Sequence, residues 1–442
     1  MKALLYTTLI LYSLLIGVFA NCYHYITDNL YLLFIFVPAF IYIVTLSGFI
    51  YVKTKRIRLK FAYHGAYMLS ICWLSSIVTI LYQTVYAFYT LPINYVDFLW
   101  SLGISIFVEA TVFWVGVISV YFSSLQMGIK HRFWGAVCAL IPGINLFILA
   151  IIIKTVFKEV YFEIDKDKLN ESRKHLEVCK TKYPILMVHG LFLRDLKYFN
   201  YWGRIPKELT KNGATIFFGN HQSALSVPDS AQELAARIRE IIKETGAEKL
   251  NIIAHSKGGI DCRYAIKHLG VEDMIASLTT VSTPHRGCEF ADYLLTKLPQ
   301  WSQKHICKTY NTTLKKLGDT NPDFYAAVKD LTAEACIKFD KETEVPKGIY
   351  CQSYGSVITK MQSGKFPFNF SSLLVKHFSG PNDGLVSQDS FEWGERYTLL
   401  YPTHKEGISH GDMMDLNRRD IQGFDVREFY VQLVNELKEK GL

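Results

Sequence analysis

The first 158 residues hold five long apolar runs, at about 3–20, 30–52, 65–88, 99–122 and 134–153, separated by polar or turn residues such as Asn21, Asn29, Lys53, Pro92 and His131. A helix needs roughly 20 apolar residues to cross a bilayer, and lipid offers its backbone no hydrogen-bond partner outside the helix itself. A stretch with several such runs is thereby restricted to an all-α transmembrane domain of about five helices. Charge agrees with this division. Of the 48 Lys and Arg and 40 Asp and Glu in the chain, ten bases but only three acids (Asp28, Asp97, Glu109) precede residue 159. The net charge of +8 therefore sits almost wholly in the apolar part. The remainder has no basic surplus to neutralise phosphates, which argues against a nucleic-acid partner.

The basic cluster Lys53-Thr54-Lys55-Arg56-Ile57-Arg58-Leu59-Lys60 follows the second run and Lys130-His131-Arg132 the fourth, whereas no Lys or Arg follows the first or third. Lys and Arg concentrate on cytoplasmic loops, so these segments mark the inner side. Five crossings from an inner N-terminus would put everything after residue 158 on the extracytoplasmic face of a multi-pass protein. Lys154 and Lys158 oppose that placement, but large domains translocate largely regardless of nearby charge. Val18-Phe19-Ala20 is a poor signal-peptidase site, so the first run reads as an uncleaved helix. Glu109, inside the fourth run, reads as a helix-packing acid rather than a transport group.

Residues 159–182, rich in Glu, Asp and Lys, read as a solvated helical linker. From Tyr183 onward apolar strand-length runs alternate with helical patterns, as in a mainly parallel sheet covered on both faces. Strands are expected at 184–189, 214–218, 250–255, 277–282, 348–353 and 397–401, and helices at 229–245, 258–269 and 425–440, so that 183–442 forms one α/β domain. The nine cysteines form no CxxC pair, which leaves a zinc site without support and free buried thiols as the expected state. There is no repeat, Rossmann glycine fingerprint or P-loop.

Within this domain Leu250-Asn251-Ile252-Ile253-Ala254-His255-Ser256-Lys257-Gly258-Gly259 sets a serine between a strand and a small-residue helix start. Such a turn lifts a serine hydroxyl above the sheet edge and needs small residues two positions either side, here Ala254 and Gly258. A plain strand-to-helix turn is the competing reading. A nucleophilic serine needs a base, and the base an orienting carboxylate, following in the order acid then His. Asn382-Asp383-Gly384-Leu385-Val386 supplies Asp383, or is an ordinary turn. His404 and His410 both follow the last strand, and spacing does not choose between them. The oxyanion would be held by backbone N–H groups of Lys257 and Leu191, the latter following Val188-His189-Gly190.

These segments resemble the secreted bacterial triacylglycerol lipases of the α/β-hydrolase superfamily. The likeness rests on Pro184 to Leu191 as the oxyanion strand, Ala254 to Gly259 as the elbow, Ser282-Thr283-Pro284-His285-Arg286-Gly287, Asn382 to Val386, and Ser409-His410-Gly411-Asp412. It implies an α/β-hydrolase fold, the set Ser256, Asp383 and His410 in preference to His404, and a lid helix within 287–345, including Phe290 to Leu295. Members of the family commonly hold a structural calcium, for which Asp412 would be one ligand. The matching upstream Asp is missing, since none occurs between Asp340 and Asp383, so calcium is doubtful and no cofactor is required. The expected activity is a membrane-anchored serine hydrolase cleaving lipid esters through an acyl-enzyme. The alternatives are a phospholipid or lipid-anchor deacylase or acyltransferase, or a non-catalytic lipid-binding membrane protein. The expected partners are a lipid ester and the bilayer; the pattern specifies no oligomeric state.

Overall fold

The computed structural model describes residues 2–138, 143–191, 200–358, 380–401 and 407–442. They fall into two compact units, Met1–Leu169 and Asn170–Leu442. In the first unit three described helices are long and apolar enough to cross a membrane: α1 (Lys2–Asn21), α2 (Ile57–Thr90) and α3 (Tyr95–Ser123). The run at 30–52 is divided instead into Leu30–Leu32, Leu33–Thr45 and Ser47–Ile50, with Pro38 inside the middle piece, where its ring removes a helical hydrogen bond. Part of the fifth run, 139–142, lies outside the described residues. The run's first residues end a short helix, Ile129–Val137, and from Ile144 it opens α4 (Ile144–Arg173), which continues unbroken through the first half of the segment read as a linker.

Polar contacts identify the ends of this bundle. At the start of α2, Arg58 donates through Nη1 to the Ser123 carbonyl that closes α3 (2.7 Å) and pairs with Glu159 of α4 (2.5 Å). The Glu159 carboxylate also accepts from the Leu125 and Gln126 amides at 3.1 and 3.2 Å. Arg56 pairs with Glu163 and Asp167, one and two turns further along α4. Deeper in the bundle Trp73 Nε1 donates to the Leu146 carbonyl (3.0 Å), about 24 Å along α2 from Ile57 at 1.5 Å per residue. The fifth run therefore comes back to the end from which the chain left α3. Residues 159–167 share an end with the basic cluster Lys53 to Lys60, so the two lie on one side of any bilayer the bundle crosses. Mean hydropathy rises equally in a run that crosses and in one that folds back.

The second unit is built on a six-stranded, wholly parallel sheet of order β2-β1-β3-β4-β5-β6. The strands are β1 (Ile185–Val188), β2 (Ile216–Phe218), β3 (Leu250–His255), β4 (Ile275–Val281), β5 (Tyr350–Ser356) and β6 (Arg396–Leu400). Every residue of β1, β3 and β4 is buried, as expected of parallel strands covered on both faces. On one face α5 (Val227–Thr245) and α6 (Lys257–His268) pack their apolar sides. Ser226 caps α5 by accepting from the Asp229 amide, Pro228 lies in its first turn, and Gly246 ends it at φ +67°. Leu234, Ile238 and Ile241 recur at helical spacing and are fully buried, each contributing about 1.5–3 kcal/mol. Ile238→Ala would open a cavity costing roughly 2–5 kcal/mol. On the other face α7 (Val426–Glu439), capped by Asp425 at the Arg427 and Glu428 amides, buries Tyr430, Val434 and Leu437 against Trp202 and Ile253. All nine cysteines are unpaired.

Candidate active site

The carboxyl ends of β1, β3 and β4 lie side by side, with Val188 opposite Ala254 and His255 opposite Val281. Between β3 and α6 stands Ser256, at φ 56°, ψ −132°. A non-glycine residue there is strained and stays only because its surroundings over-determine it. They do so from three sides. The Ser256 amide donates to the Val281 carbonyl (2.9 Å), and the Ser256 carbonyl accepts from Thr283 Oγ1 (2.9 Å). A Cβ on Gly258 would strike the His189 carbonyl, and one on Gly190 would stand 2.8 Å from Ser256 Cβ. The small residues are thus what lets the β1 loop press against the turn.

Asp383 and His410, far apart in sequence, are joined twice. His410 Nδ1 lies 2.7 Å from Asp383 Oδ2, and the His410 amide donates to the Asp383 carbonyl at 2.8 Å. Asp383 is fully buried, and its Oδ1 accepts from the Leu385 and Val386 amides, both at 3.0 Å. The carboxylate is therefore aimed by the turn that carries it. The His410 imidazole meets the His255 ring edge-on, centroids 4.6 Å apart. Since His255 immediately precedes Ser256, serine, imidazole and carboxylate segments converge at the end of β3. His404 lies outside the described residues.

Residues 183–320 match the protein-family model for the alpha/beta hydrolase fold. The chain is 27% identical over 284 residues to a triacylglycerol lipase of Vibrio cholerae serotype O1, covering 60% of this chain and 90% of that protein. It is 32% identical over 174 residues to a triacylglycerol lipase of Pseudarthrobacter phenanthrenivorans (36% and 54% covered), and 29% identical over 265 residues to triacylglycerol lipase 2 of Saccharomyces cerevisiae (56% and 77%). The second unit is a lipase-like α/β-hydrolase. The family model lies wholly within the second unit.

Two buried residues of this hydrolase unit that sequence reasoning did not single out hold the site in place. His255 Nε2 donates to the His410 carbonyl (3.2 Å), which leaves Nδ1 to accept from the Tyr201 hydroxyl (2.7 Å). Burial, helped by the neighbouring His410, keeps the His255 imidazole well below its ordinary pKa, so it stays neutral. Its place in the elbow was legible; its partners, 54 and 155 residues away, were not.

Lys257, first residue of α6, follows the serine directly, and Gly190, which precedes Leu191, lies against it. An amide in the first turn of a helix has no intrahelical acceptor and faces outward. The Lys257 side chain points elsewhere: Nζ is 2.7 Å from Asp261 Oδ1 and 2.8 Å from Ser230 Oγ. This pair is fully buried, and burial raises Asp261 to about 6 against the pull of Lys257. Lys and Asp four residues apart on one helix were the available signal. His189 stacks on His221 with ring centroids 4.1 Å apart and spans the Gly190 and His221 carbonyls at 2.9 and 3.0 Å, shaping the loop that carries Leu191. His285 sits buried between Thr280 Oγ1 and Arg263 Nη1, both at 3.0 Å.

Asp412 serves the histidine loop. Its Oδ2 accepts from the Ser409 amide (3.0 Å) and hydroxyl (2.7 Å). Among the described residues no three His, Cys, Asp or Glu side chains cluster as metal ligands.

Proposed function

We propose that the second unit is a serine carboxylic-ester hydrolase acting on lipid esters, with Ser256 as nucleophile, His410 as general base and Asp383 as its orienting acid. The observation that carries this reading is the bonded Asp383–His410 pair held against His255 beside a serine in a strained elbow. Because His410 Nδ1 donates to Asp383, its Nε2 is left as the basic nitrogen. Nε2 takes the Ser256 proton as Oγ attacks the ester carbonyl, and Asp383 stabilises the imidazolium. The Leu191 and Lys257 amides receive the oxyanion, the alcohol leaves with the proton from His410, and water then releases the acid from the acyl-enzyme. Triacylglycerol lipases among the relatives support an acyl-lipid substrate, and the apolar helices support anchoring in a bilayer. The contact of Glu159 with Arg58 favours the cytoplasmic side for the chain after residue 158.

The test is fluorophosphonate labelling of detergent-solubilised protein together with a panel of acylglycerols and phospholipids. Labelling at Ser256 with release of fatty acid is the expected result, and Ser256→Ala should lose all labelling and roughly 10⁵–10⁶ in kcat. An unlabelled but folded wild type would end the enzyme reading. Preferential release from phospholipid, or acyl transfer to an alcohol, would redirect it to those activities.

A further inference from the structure

Glu109 is the middle residue of α3, about 21 Å from either end at 1.5 Å per residue. Its carboxylate does not sit there unsupported. Oε2 accepts from Ser75 Oγ at 2.8 Å and Ser76 Oγ at 3.4 Å, and Oε1 from Thr79 Oγ1 at 2.9 Å. Thr79 Oγ1 accepts in turn from Asn21 Nδ2 (3.0 Å), and Asn21 Oδ1 from Gln83 Nε2 (3.0 Å). Each donor in this string turns its hydrogen toward Glu109, so the side-chain dipoles add to a positive potential at the carboxylate. Asn21, Thr79 and Gln83 come from two helices and all are at least nine-tenths buried.

Such an arrangement is built for a negative charge. Among the described residues no Lys, Arg or His bonds to this carboxylate, and the titratable group facing it from α2 is the Cys72 thiol; α1 brings none. On α3 itself the other acid is Asp97, three turns away, where it meets Tyr86 and His24 at the bundle end. The Gln83 amide nitrogen lies 3.0, 3.0 and 2.8 Å from Asn21 Oδ1, Ser101 Oγ and Ser105 Oγ, which carries the polar string on toward the Asp97 end. The string from Glu109 to the Asp97 end thus holds a carboxylate to which no basic side chain is bonded among the described residues. An isolated carboxylate in hydrocarbon is costly, and polar groups at that depth mark ion pathways.

We propose that Glu109, with the hydroxyls of Ser75 and Thr79, is an exchangeable proton site in the helical unit, reached from the end that carries Asp97. Uptake places a proton from solvent on a carboxylate oxygen and removes the charge; release returns it, with the three hydroxyls and the Asn21–Gln83 string stabilising the anion left behind. The site is independent of the ester-hydrolase reading.

Full-length protein in detergent micelles is treated with dicyclohexylcarbodiimide, which adds the O–H of a water-shielded carboxylic acid across its C=N bond and rearranges to a stable N-acylurea. Peptide mass spectrometry should find the adduct on Glu109, in an amount that falls as pH rises. In a Ser75→Ala/Thr79→Val variant the pH of half-labelling should rise by about one unit or more, since each charge-assisted bond is worth about 1.5–3 kcal/mol and one unit about 1.4. Glu109→Gln should lose the adduct while short-chain esterase activity stays at the wild-type level. The proposal is overturned if a protein with an intact thermal transition carries no adduct on Glu109, if labelling ignores pH or the loss of the hydroxyls, or if excess sodium at fixed pH suppresses it, which would assign the site to an alkali cation.

Discussion

Gly190→Ala isolates the contact between the β1 loop and the serine elbow. Gly190 is not among the residues with positive φ, so alanine suits its backbone and the objection is purely steric. The added Cβ would stand 2.8 Å from Ser256 Cβ, 2.9 Å from the His255 carbonyl oxygen and 3.1 Å from the Tyr201 hydroxyl. Carbon atoms settle at about 3.5–4.0 Å, so loop and elbow must part by roughly 0.7 Å. Oxyanion donors work within about 2.7–3.1 Å of the developing charge, and a displacement of that size removes most of the Leu191 amide's contribution. The expected loss is roughly 10²–10³ in kcat, about 2.7–4 kcal/mol of transition-state stabilisation. KM should stay within about threefold, because the interaction is made only in the transition state. Overpacking should cost about 1–3 kcal/mol of stability, which leaves a folded enzyme. The assay is steady-state and burst kinetics on a short-chain nitrophenyl ester, with the thermal transition of the same preparation. A kcat within threefold of wild type, or a loss expressed in KM alone, would refute the assignment of Leu191.

Asp383→Asn should keep the fold and lower kcat by roughly 10⁴, because the amide no longer holds His410 in the productive tautomer; a loss under tenfold in ester turnover would count against it. Lys257→Met leaves Asp261 buried without its partner and should cost about 3–5 kcal/mol, most of it regained in Lys257→Met/Asp261→Leu; thermal unfolding that finds the single variant as stable as the double contradicts this. Burial holds His255 and His285 well below 6.5, so the unfolded chain binds more protons there, and the stability they contribute above about 6.5 is lost as pH falls. Asp261, raised to about 6 by burial, acts with the opposite sign: its contribution is present below its ordinary value and is lost as pH rises through about 6. Two histidines outweigh one aspartate, so the thermal transition should drop between about pH 7 and 5.5, by up to roughly 1.4 kcal/mol per unit net; a flat or rising profile refutes that balance.

The sequence by itself determined whatever depends on neighbours along the chain. The six strands were legible because fully buried parallel strands are short apolar runs. The helices after Ser226 and Asp425 were legible because cap residue and apolar spacing are local. The elbow was legible because a strained serine needs small residues at fixed offsets, and Ala254 and Gly258 stand there. Tertiary structure alone decided what depends on partners far away. Hydropathy has no direction, so only the contact of Arg58 with Glu159 brought the residues after the fifth run to the bundle end that carries the basic cluster. His255 was visible as an elbow residue, but its bonds to Tyr201 and His410 come from chain more than fifty residues away on either side. Glu109 read as a packing acid until α1 and α2 brought Asn21, Ser75, Thr79 and Gln83 to it. Hydrogen bonds between side chains are directional and short, and which groups satisfy one another is settled only when the packed backbone fixes where each side chain ends.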